Sequence, residues 1–315
     1  ISACLVGSEM CIRDRYLLVA EGGTGPGHMV TIARSPSIRG PFEPAPTNPI
    51  LTHRSTSAAV QSTGHSDLIE LADGSWALVF LATRPRGTFP RWHTNGRETF
   101  LAGVDWVDDW PVVDEARYDV PVSTSSFVDE FRGEVLHPRW IAPGTAPSTF
   151  ARTSADGLRL DPGRDALTAS AERLLAVRAE DELWSARLHA TGDVALSVRM
   201  DDAHQLLVER IGEEVRARIV IGPLSDVVAS ATVSADAALE IRAVEFEAER
   251  GARRGPDLLR AGVAAAEGFV ELAALDGRYL STEVAGGFTG RVIGIEALGA
   301  VSYTHLRAHE TGRNL

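Results

Sequence analysis

Short apolar stretches separated by turn residues run through the first third of the chain. Five of them are rich in apolar or β-branched residues and are bounded by Gly, Pro, Asn and Asp: Tyr16–Glu21, His28–Ser35, Ser66–Leu71, Ser75–Arg84 and Thr99–Trp106. This spacing is typical of strands and turns rather than of helices. The turn Ala72-Asp73-Gly74 predicts a hairpin between two of these strands.

A polar run containing Pro and Ser, Asp114–Phe131, interrupts this pattern and predicts a domain boundary. Beyond it lie about ten more short strand-like segments, several of them with apolar residues at every second position. Such segments favour an antiparallel β-sandwich. Over Ala235–Arg250 a helix is an alternative because Ala and Glu are helix formers, but polar and β-branched residues break a helical stripe and favour a strand. The sequence therefore predicts an all-β protein.

The two ends of the chain differ from the rest. DNA that encodes Leu5–Arg15 also encodes Val301–Glu310 when its reverse complement is read, so one DNA element accounts for both ends. The string resembles the adapter of a transposase-based sequencing library. We therefore expect residues 1–15 and 301–315 to be adapter-derived rather than native, and the residues between them to be a fragment of a longer protein.

Composition narrows the classes of function. All 31 basic residues are arginine, and 43 acidic residues give a net charge of −12, which disfavours nonspecific nucleic-acid binding. No apolar run is long enough for a membrane span. Both cysteines, Cys4 and Cys11, lie in the first end, so a disulfide framework or a Cys-ligated metal site is not expected. The compartment stays open, with the cytoplasm slightly favoured, and a homo-oligomer is one option.

Several long motifs carry a family resemblance. "YLLVAEGGTGPGHMVTIARS", "TGHSDLIELADGSW" and "GRETFLAGVDW" resemble family 43 glycoside hydrolases of the β-xylosidase type. "FVDEFRGEVLHPRW" and "GRYLSTEVAGGFTGRVIG" resemble the C-terminal concanavalin A-like domain of that group. The resemblance implies a partial five-bladed β-propeller, with its last two blades at residues 16–120. A concanavalin A-like β-sandwich follows at 121–300, with its last strand missing.

The resemblance also implies a chemistry. Such enzymes release sugars from β-1,4-xylo-oligosaccharides or α-L-arabinofuranosides with inversion, using an aspartate base, a pKa-tuning aspartate and a glutamate acid. The resemblance places all three acids upstream of Tyr16, so we expect no catalytic residue in this chain and no activity from it alone. Glu21 would follow the acid and have a structural or supporting role. No cofactor is expected, although the parent could hold a structural calcium ion.

Three substrate-binding candidates lie in the predicted propeller. The planar guanidinium of Arg97 offers paired donors to sugar hydroxyls, and a salt bridge to Glu98 or another surface acid is its alternative. The resemblance places His65 beneath the sugar, near a central ion or water, with Asp67 as a neighbour on the same strand face. A local hydrogen bond is the alternative for His65. Thr24 lies in a Gly-rich turn and could line the pocket or serve the turn alone.

Two aromatic candidates complete the predicted site. Trp92 could stack on a sugar or anchor a loop. Phe288 lies among glycines that permit a tight exposed loop, and the resemblance places such an aromatic at the rim of the active site; core packing is its alternative. The remaining propeller tryptophans are expected to pack between blades: Trp76, Trp106 and Trp110.

A second function also fits the predicted sandwich. Lectin-like folds bind glycans without catalysis, and the segment 125–300 could do the same. An exposed row of aromatic residues on one strand face would favour this carbohydrate-binding module, but the aromatics in this part of the sequence are few and scattered.

Overall fold

The computed structural model describes residues 3–6, 15–87, 89–118, 126–162, 173–234, 236–246, 255–266, 268–299 and 302–310. The chain divides into two compact units. The first comprises Ile1–Pro85 and Arg97–Val122, and the second comprises Arg86–Gly96 and Ser123–Leu315. A short segment between two strands of the first unit thus folds as part of the second unit. Within the described part of the chain, no helix has the length and apolar character needed to cross a membrane.

The first unit contains two four-stranded antiparallel sheets in which strands follow one another in chain order. The first sheet contains β1 (Ala3–Val6), β2 (Arg15–Glu21), β3 (Met29–Ser35) and β4 (Glu43–Pro44). The second contains β5 (Gln61–Glu70), β6 (Trp76–Thr83), β7 (Glu98–Val107) and β8 (Trp110–Asp114). Four-stranded sheets of this kind are the blades of a β-propeller. The five strands predicted in this part of the sequence are all confirmed.

Local chemistry explains the predicted hairpin between β5 and β6. Gly74 has a φ of +81°, which costs glycine little, and the Ser75 N–H donates to Asp73 Oδ1 at 3.0 Å. The two sheets share an apolar core that includes Leu18, Ile32, Leu78 and Phe80.

The predicted packing of the propeller tryptophans is confirmed. The ring centroids of Tyr16 and Trp106 are 5.0 Å apart, and those of Trp76 and Trp106 are 5.4 Å apart. Trp110 is buried within the shared core and lies edge-on to Tyr16. These aromatic contacts connect the start of β2 to the hairpin of β7 and β8.

The second unit is a sandwich of two antiparallel sheets. The six-stranded sheet has the order β12-β21-β14-β15-β16-β17, and the other sheet has the order β10-β11-β22-β13-β18-β19-β20, with β9 paired to β22. These strands are β9 (Phe127–Asp129), β10 (Ala151–Ser154), β11 (Gly157–Leu160), β12 (Leu175–Arg178), β13 (Trp184–Thr191), β14 (Val194–Asp201), β15 (His204–Ile211), β16 (Glu214–Ile221), β17 (Leu224–Thr232), β18 (Ala238–Val244), β19 (Leu258–Ala265), β20 (Gly268–Asp276), β21 (Val292–Ala297) and β22 (Ser302–Glu310). Two 3-10 helices, Pro147–Thr149 and Gly277–Leu280, and the short α1 (Thr282–Ala285) connect them.

The sandwich core is formed by alternate residues of both sheets, such as Leu196, Val198, Leu239 and Ile241. The choice of a strand over a helix is confirmed for Ala238–Val244, which pairs with β13 and β19. Among the strands before β22, sequence analysis missed β9, β10, β12 and β19. The strand predicted at 166–171 lies outside the described residues.

The backbone of β22 pairs with β11 on one side and with β13 on the other. Residues 302–310 therefore form a strand of the sandwich. They lie in the segment that we expected to be adapter-derived, just beyond the residues 121–300 that we expected to lack the last strand of the sandwich. Strand pairing uses backbone groups, which every residue except proline supplies, so this position is compatible with a sequence of either origin.

Candidate functional site

Strand β5 has an unusual backbone in the middle of the "QSTGHSD" motif. Ser62 and His65 have φ values of 56° and 49°, and the register with β6 shifts on both sides of Gly64. Left-handed backbone at residues other than glycine is costly and concentrates at functional sites, as do bulges that redirect side chains. The outcome is an exposed His65 side chain on a strand whose neighbouring residues, Gln61 to Gly64, are buried.

A Gly-rich loop lies against this irregular strand. The ring of His28, only 6% exposed, occupies the space beside Gly64, because a Cβ added to Gly64 would lie 1.4 Å from His28 Cδ2. His28 Nδ1 also contacts the carbonyl oxygen of Gly23. His28 thereby connects the loop that carries the exposed Thr24 to the strand that carries His65. Sequence analysis missed His28, whose position directly between a Gly-rich turn and a strand was the available signal.

Arg97 precedes β7 at the same end of the second sheet as His65. The register forms a row of Gly64, Leu81 and Thr99 across β5, β6 and β7, so His65 and Arg97 each lie within two residues of that row. Burial lowers the pKa of Arg97 from its ordinary value, but an arginine stays charged near neutral pH. The structure therefore brings Thr24, His65 and Arg97 to one end of the first unit.

Glu98, the carboxylate named as an alternative partner for Arg97, forms its salt bridge with Arg84 in the structure. Arg84 donates to both carboxylate oxygens of Glu98, from Nε at 2.8 Å and from Nη2 at 2.7 Å. Glu21, the residue expected to follow the general acid, is exposed at the end of β2, and Asp67 is exposed on β5. The role of Arg97 in binding substrate stays a prediction.

The two aromatic candidates belong to the second unit. Trp92 is half-buried, exchanges two backbone hydrogen bonds with Arg86 and has the Arg278 guanidinium 6.0 Å from its ring centroid. Phe288 is 55% exposed, so core packing is excluded for it. The flanking Gly287 has a φ of +76°, which fits the expected tight loop. Sugar contacts of both rings stay predictions.

Within the second unit, the segment that carries Trp92 and the loop that carries Phe288 form one structure. The His93 N–H donates to Glu283 Oε2 at 2.8 Å, and the Arg291 N–H donates to the Thr94 carbonyl oxygen at 2.8 Å. A Cβ on Gly96 would lie 2.4 Å from the backbone nitrogen of Gly290, so the two backbones are in direct contact. This close approach requires glycine.

We predict a pH-dependent stability for this loop. Burial alone would raise the pKa of Glu283, but hydrogen bonds from the His93 ring and backbone outweigh burial and hold that pKa below its ordinary value of 4.5. A lowered pKa stabilises the fold above the ordinary value, and this stabilisation is lost as pH falls through the folded value. The free energies of unfolding of the chain and of Glu283→Gln, measured with urea, should therefore differ at neutral pH, and the difference should shrink as pH falls below the ordinary pKa of 4.5. A difference that is independent of pH would contradict this.

Among the residues that the structure describes, no cluster of three or more His, Cys, Asp or Glu side chains is arranged to hold a metal ion. The ion near His65 and the calcium of the parent protein stay predictions from the resemblance.

Two protein families match the sequence. Residues 14–111 match the family described as glycosyl hydrolases family 43. Residues 128–308 match the beta xylosidase C-terminal concanavalin A-like domain, which is more than half of the chain of 315 residues. Both matches agree with the all-β fold of a partial propeller followed by a sandwich.

Individual proteins agree with the family matches. The chain is 32% identical to the non-reducing end alpha-L-arabinofuranosidase BoGH43B of Bacteroides ovatus, over 90% of this chain and 57% of the relative. A beta-xylosidase of Bacillus subtilis is 40% identical over 31% of this chain and 20% of its own length. The crystal structure of the GH43 protein BlXynB of Bacillus licheniformis covers 98% of this chain and 65% of its own, with 24% identity and a TM-score of 0.78, and shows the same fold.

The chain thus spans about 57% of the length of the first of these relatives. Its two family matches lie in consecutive order, and each corresponds to the main part of one compact unit. The chain belongs to glycosyl hydrolase family 43, within the group whose members carry the beta-xylosidase C-terminal concanavalin A-like domain.

Proposed function

We propose that this chain is part of an exo-acting glycosidase that hydrolyses β-1,4-xylo-oligosaccharides, α-L-arabinofuranosides or both. One observation carries the proposal. His65 and Arg97 both lie within two residues of one row across β5, β6 and β7, and His28 holds the loop that carries Thr24 against that row. An exposed imidazole and a charged guanidinium on strained or strand-end backbone suit the recognition of sugar hydroxyls. Relatives named as an arabinofuranosidase and a beta-xylosidase support this substrate class.

The proposed reaction is a single displacement. A carboxylate base removes a proton from water, the water oxygen attacks the anomeric carbon, and a carboxylic acid protonates the departing glycosidic oxygen, so the anomeric configuration inverts. The two carboxyl groups stand about 6.5–9.5 Å apart to leave room for the water. Arg97 would bind sugar hydroxyls and help to keep a nearby carboxylate ionised.

We further propose that the catalytic carboxylates belong to the part of the family fold that this chain does not contain, so that the chain alone is inert. The test is an assay of the full chain with nitrophenyl β-xyloside and nitrophenyl α-L-arabinofuranoside. We expect the chain to hydrolyse neither substrate faster than its Glu21→Gln variant does, because Glu21 is exposed at a strand end and is not assigned as the acid. Turnover that Glu21→Gln abolishes would overturn both the inertness and this assignment.

The alternative function, a carbohydrate-binding module, receives no support from the sandwich. In the described part of the second unit, the most exposed large aromatic side chains are Phe89, Phe288 and Tyr279, which lie in two loops and a 3-10 helix rather than in a row on a strand face. Titration of the chain with soluble xylan distinguishes the two functions. Saturable binding that Phe288→Ala leaves unchanged would favour a module of the lectin type.

A further inference from the structure

A cavity of about 420 Å³ lies in the second unit, beside β9 and the loop that follows it. Its wall is formed by residues of the motif "FVDEFRGEVLHPRW" together with Thr153 of β10. These lining residues all belong to the second unit, so the cavity shares none of them with the candidate site of the first unit. The proposed function gives this part of the chain no role.

The backbone at one wall of the cavity is strained. Phe131 has a φ of +55°, although its side chain is bulky and only 2% exposed. The Asp129 carboxylate holds this conformation, because Oδ1 accepts from the Phe131 N–H at 2.8 Å and Oδ2 accepts from Trp140 Nε1 at 2.8 Å. Left-handed backbone at a bulky residue is rare and concentrates at functional sites. The strain therefore favours a binding role for the cavity over packing alone.

Apolar side chains supply one part of the cavity wall. The ring centroids of Phe131 and Trp140 are 5.1 Å apart, and Phe127 lies edge-on to Trp140 at 6.3 Å. Val128 is 50% exposed and Val135 is 81% exposed, although both are large apolar residues. Concave sites with apolar walls and a few polar groups typically bind small molecules. The cavity therefore suits a ligand with an apolar or planar body.

Two basic side chains supply another part of the wall. The Arg139 guanidinium lies 4.0 Å from the centroid of the Phe127 ring, which holds its plane in place. Arg139 also donates to His137 Nδ1, from Nε at 3.0 Å and from its backbone N–H at 3.2 Å. Because His137 Nδ1 accepts these bonds, a neutral His137 carries its proton on Nε2 and is a donor there.

Arg139 retains donors for a ligand. Among the residues that the structure describes, none accepts a hydrogen bond from the two terminal nitrogens of its guanidinium. A planar guanidinium with free N–H groups matches the two oxygens of a carboxylate, and such charge-assisted hydrogen bonds are strong. The basic part of the wall therefore suits an anionic head group.

Nearby acids do not cancel this preference. Asp129 lines the cavity, but each of its carboxylate oxygens already accepts a hydrogen bond. Glu130 pairs with Arg132 at 3.4 Å, and neither lines the cavity. We propose that this cavity binds a small organic carboxylate, with the carboxylate at Arg139 and a planar or apolar body against Val128 and Val135.

The test is a titration of the ¹⁵N-labelled full chain with benzoate, followed through the amide signals of residues 127–139. Benzoate combines a carboxylate with a planar apolar ring, so we expect saturable changes at these signals. Benzamide has the same shape without the charge and should bind at least about 10-fold more weakly. Glucuronate carries its carboxylate on a hydroxylated ring and should also bind more weakly, because the apolar wall leaves hydroxyls without partners.

A pair of variants separates the cavity from general attraction to arginine. Arg139→Gln should weaken benzoate binding at least about 10-fold, because it removes the charged partner of the carboxylate. Arg132→Gln is the matched control, since Arg132 lies in the same loop with a side chain that is 62% exposed and does not line the cavity. It should leave binding unchanged. The spectrum of each variant also reports whether the fold is intact.

Several results would overturn the proposal. Changes that do not saturate, changes confined to other parts of the chain, equal affinity for benzamide, or equal losses in Arg139→Gln and Arg132→Gln would each do so. Tighter binding of glucuronate than of benzoate would overturn the apolar body and assign the carboxylate to a sugar. The titration requires no glycosidase activity, so its failure would be distinct from a failure of the proposed function.

Discussion

Asp257→Asn is expected to lower the free energy of unfolding of the second unit by about 3–5 kcal/mol. The Asp257 carboxylate is fully buried and accepts from Arg291 Nη1 at 2.5 Å, from Arg291 Nη2 at 3.0 Å and from Arg86 Nη1 at 3.2 Å. Asparagine keeps the shape of the side chain but removes the carboxylate that the two guanidinium groups share, so that Arg291 loses its buried partner and Arg86 keeps the more exposed Glu182, 3.4 Å from its Nε. Removing one partner of a buried pair is costly for that reason.

The measurement is the denaturant dependence of hydrogen exchange in β18 and β19, which reports on the second unit alone. Asp161→Asn is the matched control, because Asp161 pairs at 3.2 Å with an Arg152 side chain that is 61% exposed. Such a surface pair contributes at most about 1 kcal/mol. Similar losses in both variants would show that the cluster around Asp257 is not a buried charge network. Exchange in the segment 86–96 should also rise in Asp257→Asn, because Arg86 is one of the two partners.

The same cluster explains why sequence analysis could not place residues 86–96. Its members come from three distant parts of the chain, Arg86, Asp257 and Arg291, and no local pattern connects them. Local patterns were sufficient for most strands, since alternation of side chains is a property of consecutive residues. They failed for β19, where the run "LLRAGVAA" is rich in Ala, a helix former, and contains Gly, both of which are depleted in strands.

The candidate site was likewise predicted only in part, because the sequence identified its residues but not their arrangement. Turn glycines and the family resemblance identified Thr24, His65 and Arg97 from the sequence. Their convergence depends on two register shifts in β5 and on the ring of His28, which fills the space beside Gly64. A bulge changes which face a residue occupies without a distinct sequence signal, so this geometry could not be derived from the residues alone.

Gly64→Ala is expected to destabilise the first unit by about 3 kcal/mol and to disorganise the candidate site. A Cβ at this position would lie 1.4 Å from His28 Cδ2 and 1.9 Å from His28 Nε2. The ring is buried and is held by the carbonyl of Gly23, so it has little room to move aside. Overpacking of this kind forces backbone shifts, here in the loop that carries Thr24. Hydrogen exchange in β3 and β6 measures the loss.

A double-mutant cycle identifies the cause of that loss. His28→Ala removes the ring, so Gly64→Ala should cost little in the His28→Ala background, and the coupling between the two positions should reach about 2–3 kcal/mol. Gly74→Ala is the control for the general effect of replacing a glycine, because a Cβ at Gly74 would meet no atom within 4 Å. Its cost should arise only from the left-handed φ and remain at about 1–2 kcal/mol. Additive effects of His28→Ala and Gly64→Ala would mean that Gly64 is required by the backbone of β5 itself rather than by the ring of His28.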